Sequence, residues 1–119
     1  MRSNANLPYA AVMATLPNGS VSVIFIAKRT ADDDAGYAAA ATAMVELAAV
    51  QVGYLGMDSV RDATGLGITV SYWESDAHAQ AWRVQPDHAA IRDAGRDRWY
   101  THYSLHVADV TRSYEWTKP

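Results

Sequence analysis

Cysteine is absent from the 119 residues, and with it go disulfides, thiolate zinc sites, iron–sulfur clusters and a cysteine nucleophile. That composition is in keeping with a cytoplasmic setting. Basic charge is scarce as well: 10 lysines and arginines stand against 13 aspartates and glutamates, for a net charge of -3. Phosphate binding draws on basic stripes, so nucleic acid is not expected as a partner. No apolar run approaches the length of a membrane span, and no membrane is expected. Leu7–Leu16, after Arg2, lacks the bulk and the cleavage site of a secretory signal. The HExxH, GxSxG, P-loop and GxGxxG patterns are missing too, which leaves no signature for a resident metal, a serine nucleophile or a nucleotide cofactor.

What is present is enough apolar material for one small domain, since half of the residues are hydrophobic. Residues 1–19 read as an N-terminal extension: Met1–Asn6 an unstructured start, Tyr9–Thr15 an extra strand, Leu16–Gly19 a turn. Residues 20–116 read as the domain. Val21–Lys28 alternates as a strand with apolar groups on both faces, which suits burial on both. The acid run Asp32–Asp34 reads as the charged start of a helix rather than a metal cluster, with Thr30 and Asp33 as a loose capping box. That helix carries Tyr37, Ala41, Met44, Val45, Ala48 and Val52 as a stripe at helical spacing, and Gly53 closes it.

Tyr54–Arg61 and Gly67–Glu74 form a hairpin around the turn Asp62–Gly65. Ser75 then caps a helix over Asp76–Val84, and Pro86 opens a shorter piece that ends at Gly95. A last strand runs from about Trp99 to Arg112, with a bulge expected near Val107–Asp109. The order is β-α-β-β-α-β, an α+β ferredoxin-like domain with both helical regions on one face of a four-stranded sheet. The other face carries Ile68 and Val70, which need a cover, and a second copy of the chain supplies one sheet against sheet. A homodimer is expected.

Two stretches, Met44–Ser75 and Ala94–Trp116, carry a resemblance that extends from about Val21 to Trp116. They resemble the antibiotic biosynthesis monooxygenase family, whose fold is a dimeric α+β barrel. The resemblance implies either a cofactor-independent monooxygenase or a haem-degrading enzyme, and some members have no known activity. Trp73-Glu74-Ser75 is similar to a segment in which the family's tryptophan lines a pocket between sheet and helices. Four residues earlier the family's oxygenases carry an asparagine, and this chain has Thr69. Trp82 and His88 resemble, at shorter spacing, a tryptophan–histidine pair of the haem-degrading members. The first-strand asparagine of those members has no counterpart in Phe25–Lys28.

A cofactor-free oxygenase must hold a flat aromatic in an apolar cleft, accept a proton and stabilise the resulting anion. Trp73 is the candidate stacking group, sharing a strand face with the small Thr69 and Ser71; Trp82 and Tyr54 are further candidate wall residues, each also readable as core. His88 is the candidate base, because the first turn of a helix disfavours its cation. Arg92, one turn on, is a candidate anion stabiliser, although with Asp93, Arg96, Asp97 and Arg98 it also reads as a solvated helix end. His102 and His106 on a strand stand roughly 13 Å apart, too far to share an ion. His78 reads as exposed, Tyr72 as facing the dimer side and Tyr100 as lining the cleft mouth. The function expected is oxidation of a small phenol or quinol by molecular oxygen, with no cofactor. The alternative is a non-catalytic dimer that binds a small molecule or haem in the same cleft.

Overall fold

The computed structural model describes residues 15–119. Most of the strand expected over Tyr9–Thr15, and the start before it, lie outside the described residues. The elements are β1 (Val21–Arg29), α1 (Asp34–Ala49), β2 (Tyr54–Arg61), β3 (Leu66–Trp73), α2 (Asp76–Val84), α3 (Pro86–Arg98) and β4 (Tyr100–Asp109). The strands make one antiparallel sheet in the order β2-β3-β1-β4.

Strand alternation sorts the side chains. Val21, Val23, Phe25 and Ala27 share the helix-covered face with Trp73, Ser71 and Thr69, their register partners on β3. Val21, Ala48, Trp73, Ala79 and Trp82 form the buried core, with Met44, Leu47 and Tyr54 packed against it. Ile24, Ile26, Ile68 and Val70 lie together on the opposite face, where no helix covers them. Ile24 and Ile26 are therefore only half-buried within one chain, not buried on both faces as the alternation suggested. Tyr72 is on this open face, as expected, and donates to Asp58 Oδ2 at 2.9 Å.

Helix ends depart from expectation for local reasons. Asp33, in the left-handed region at φ 54°, caps α1 by accepting from the Gly36 amide. Thr30 does not join a capping box, because its hydroxyl accepts from the Asp32 amide. Helix α1 stops at Ala49, so Val52 leaves the apolar stripe and is 82% exposed. Gly53 does not close the helix; it turns the chain into β2. Gly95 does not end α3 either: it is buried inside that helix, and a Cβ there would meet the Tyr100 ring at 2.7 Å. Gln85 closes α2 and caps α3, with its side chain accepting from the His88 amide.

The β4 bulge sits at the opposite end from the one expected. Pairing with β1 is regular from Asp109 to His102 and slips only between Lys28 and Arg29, where Arg29 faces Tyr100. A bulge re-aims the side chains beside it. Here those side chains reach the candidate site.

Candidate active site

Two clusters of functional groups lie under the helices, at opposite ends of the sheet. At the first, Trp73 closes β3 opposite Val21 and Tyr54. Its ring is 0% exposed and meets Tyr54 edge-on at 5.7 Å. The Trp82 ring stacks on it at 5.7 Å, and His88 stacks on Trp82 at 3.9 Å. The Trp73 indole N–H donates to the buried Ser71 hydroxyl at 2.9 Å. The space that a small neighbour was expected to leave is taken up by that hydrogen bond. No surface of Trp73 is free to stack on a ligand in the single chain.

His88 faces the Trp82 carbonyl oxygen, with Nδ1 at 2.6 Å. A carbonyl can only accept, so Nδ1 carries the proton and the neutral ring keeps its Nε2 lone pair. Burial, opposed by this hydrogen bond and assisted by the nearby Arg92 charge, moves the His88 pKa below its ordinary value. Arg92 itself donates from Nη1 to the Arg83 carbonyl at 2.9 Å, which caps the end of α2. Its role in the chain is to hold the α2–α3 corner. His78, expected to be exposed, is half-buried, with Nδ1 2.8 Å from the Ser75 hydroxyl.

The second cluster surrounds a surface cavity of ≈ 240 Å³ lined by Arg29, Asp34, Arg61, Asp62, Thr64 and Gly65, among others. Arg29 ends β1, Arg61 ends β2, and the hairpin loop closes one wall. Gly65, at φ 93°, brings its carbonyl to the Arg29 amide at 2.9 Å, and a Cβ would lie 3.1 Å from the Arg29 oxygen. Both guanidiniums lie over the Tyr37 ring, Arg29 at 3.9 Å and Arg61 at 4.7 Å from its centroid. Such contacts hold the cations in place while leaving their N–H groups available. The Arg29 Nη2 is paired with Asp34 at 2.7 Å, but its buried Nε has no hydrogen-bond partner among the described residues. Beneath lies a recess of ≈ 10 Å³ walled by Phe25, Tyr37, Thr69 and Tyr100, about the room of one water. Burial, reinforced by Tyr37, raises the Tyr100 pKa, so its hydroxyl stays protonated.

The expected site residues therefore divide. Trp73, Ser71, Trp82, Tyr54, His88 and Arg92 gather at the aromatic end, while Thr69 lies at the arginine end, its hydroxyl 2.8 Å from that of Ser59. Four strand residues, ~13 Å, separate Thr69 from Trp73, and ten residues of α3, ~15 Å, separate His88 from Arg98. Sequence reading passed over Arg29, Arg61 and Tyr37 as cavity residues. A detectable signal was that two arginines end the strands on either side of β3 while a tyrosine stands in the first turn of α1. Among the described residues no group of three histidine or acidic side chains is placed to hold a metal ion, and no helix is long and apolar enough to cross a membrane.

A four-stranded antiparallel sheet covered on one face by helices, in the order β-α-β-β-α-α-β, is a ferredoxin-like α+β fold. Within that class the chain belongs to the antibiotic biosynthesis monooxygenase family, whose model matches residues 21–94. It is 46% identical over 91 residues to the uncharacterized protein YqjZ of Bacillus subtilis (strain 168), covering 76% of this chain and 79% of that protein. Among solved structures, SnoaB, a cofactor-independent oxygenase from Streptomyces nogalater, superposes with a TM-score of 0.68 at 12% identity, over 77% of this chain and 93% of that one. Rv0793 from Mycobacterium tuberculosis gives 0.68 at 17% identity, over 76% and 94%. At such identities the structural likeness is one of fold.

Proposed function

We propose that the chain is a cofactor-independent monooxygenase that oxidises a small aromatic phenol or quinol at the arginine-lined cavity. The observation that carries this reading is the buried Arg29 Nε, a donor without an acceptor, beside the protonated Tyr100 hydroxyl. Orphaned buried donors cost roughly 1–3 kcal/mol, so a phenolate oxygen arriving there recovers what folding leaves unsatisfied. The guanidinium lowers the pKa of the bound phenol, and the proton leaves to solvent at the open mouth. The phenolate then gives one electron to oxygen; the resulting radical and superoxide combine at the ring. One oxygen atom stays on the ring, the other leaves as water, and the phenol ends as a quinone. The four electrons for reducing oxygen all come from the substrate, and SnoaB is an oxygenase of this fold that works without a cofactor.

A second reading places proton transfer at the α2–α3 corner, because His88 is held neutral with Nε2 as the acceptor. One face of the His88 ring lies on Trp82, and the ≈ 240 Å³ cavity opens at the other end of the sheet, so proton transfer is favoured over haem binding at that corner. The open face with Ile24, Ile26, Ile68 and Val70 is taken to pair with that of a second copy; a monomer in sedimentation at micromolar concentration would remove that part of the proposal.

The test is oxygen uptake by the metal-free protein with a panel of quinols. Uptake above the enzyme-free rate, reduced at least ten-fold in Arg29→Gln and little changed in His88→Gln, supports the cavity. The reverse pattern transfers the chemistry to His88. Uptake no faster than the blank across the panel overturns the oxygenase reading.

A further inference from the structure

The second arginine of the cavity has no work in the scheme above, and its surroundings describe what it takes. Each carboxylate lining the cavity is already engaged. Asp34 is paired with Arg29 at 2.7 Å. Asp62 accepts through Oδ1 from the Thr64 amide at 2.9 Å, the Thr64 hydroxyl at 2.7 Å and the Leu66 amide at 3.1 Å. Those bonds, led by the one from the Thr64 hydroxyl, hold its pKa below the usual carboxylate range. The carboxylate is thus turned into the hairpin loop. The side chain of Arg61, next to it in sequence, makes neither an ion pair nor a hydrogen bond among the described residues. Its guanidinium lies over the face of Tyr37. Lys28 adds a further positive charge to the same rim, donating from Nζ to the Thr64 carbonyl.

Resting on the oxygenase reading, we infer that the substrate is a hydroxylated aromatic acid whose carboxylate is bound by the Arg61 guanidinium. A guanidinium held flat on an aromatic ring keeps its planar fork of N–H donors free for a two-point contact with a carboxylate. Arg29 Nε and Arg61 then serve one negative charge each: the phenolate inside, the carboxylate at the rim. Both cations touch the Tyr37 ring, so a ligand spanning them needs only a single benzene ring between its two oxygen-bearing groups. That limits the substrate to a compact hydroxybenzoate rather than an extended polycycle, in keeping with a cavity of ≈ 240 Å³.

Calorimetric titration of the full chain under nitrogen separates binding from turnover. The probes are 2,5-dihydroxybenzoate and neutral hydroquinone. The expected result is about ten-fold or greater preference for the acid, weakening as salt is raised. Arg61→Gln abolishes that preference while hydroquinone binds as before, and Arg61→Lys, which keeps the charge without the fork, restores part of it. Arg61 is exposed, so these variants fold, and a melt of each verifies that. Equal affinity for the two probes, or an equal loss for both in Arg61→Gln, overturns the inference. If the acid is preferred but no quinol draws oxygen, the carboxylate site stands and the oxygenase reading falls. If oxygen uptake is seen without preference for the acid, the reverse holds.

Discussion

At the aromatic end of the sheet the Trp73 indole gives its proton to Ser71 and the His88 Nδ1 meets the Trp82 carbonyl, while the buried Arg92 Nε, which makes no hydrogen bond among the described residues, has the Asp93 carboxylate 3.6 Å away. At the arginine end the rings are as close, with Phe25 5.5 Å from Tyr100 and Tyr37 6.2 Å from it, yet the Arg29 Nε and the Arg61 fork remain unmatched. The first arrangement is what a core requires, since a satisfied polar group inside costs little. The second keeps donors uncommitted beside a cavity, at a cost in stability that only a ligand offsets. Aromatic density alone did not separate the two. The cavity beside the unmatched donors does.

The largest break of this comparison is Trp73→Ala. A fully buried tryptophan truncated to alanine costs about 3–5 kcal/mol, read by urea unfolding. The variant is expected to be unfolded or nearly so, whereas Tyr37→Ala, at a half-buried position on α1, should lose less stability and most of its hydroxybenzoate affinity. If Trp73→Ala were stable and defective only in ligand binding, the aromatic end would be the pocket after all.

The fold was legible in the sequence because it is written in alternation and punctuation. Ser75 and Pro86 mark helix starts that the structure reproduces, and Val21 to Ala27 sort onto one face as their spacing requires. The site was less legible for a physical reason. Trp73 and Thr69 do share a face, but whether a ring on that face is covered depends on how closely α1 and α2 approach, which is set by Ala48 and Ala79. Likewise Arg29 and Arg61 are 32 positions apart, and it is the β1–β3–β2 register together with Tyr37 on α1 that brings both over one ring. Gly95 illustrates the same limit. A glycine near the end of an apparent helix reads as a stop, whereas here it makes room for a ring from the next strand.

Gly95→Ala sharpens the comparison from the cavity side. Alanine favours a helix by up to about 1 kcal/mol, but its Cβ would lie 2.7 Å from the Tyr100 ring, which is packed against Phe25 and cannot swing away freely. Overpacking of this kind costs typically ~1–3 kcal/mol, so a net loss is expected. Ligand affinity should fall further, because the displaced ring belongs to the recess wall. A stabilised variant with unchanged affinity would show that Tyr100 is not fixed by α3.

His88 tests the aromatic end by pH. Its folded pKa lies below the ordinary value of 6.5, chiefly through burial, so the unfolded chain binds the proton more readily. The contribution is fully present above pH 6.5 and is lost as the pH falls through the folded pKa. Urea midpoints should therefore drop on acidification below pH 6.5 more steeply in the parent than in His88→Gln, after the shared carboxylate titration is subtracted. Parallel curves would mean that the imidazole is not held neutral.

The smallest expected effect is that of Arg92→Ala, and it decides what the arginine beside His88 is for. Its Nη1 hydrogen bond to the Arg83 carbonyl caps α2, and a partly exposed contact of this sort is worth about 1 kcal/mol. Its positive charge also depresses the His88 pKa. Removing it should lower the urea midpoint slightly and move the His88 inflection, followed by NMR of the imidazole protons, to higher pH. Both changes together describe an arginine that holds a corner and biases its neighbour. Were Arg92 instead the anion site, the substitution would raise KM for an acidic quinol several-fold with the midpoint and the inflection in place, and the arginine end would lose its claim to the carboxylate.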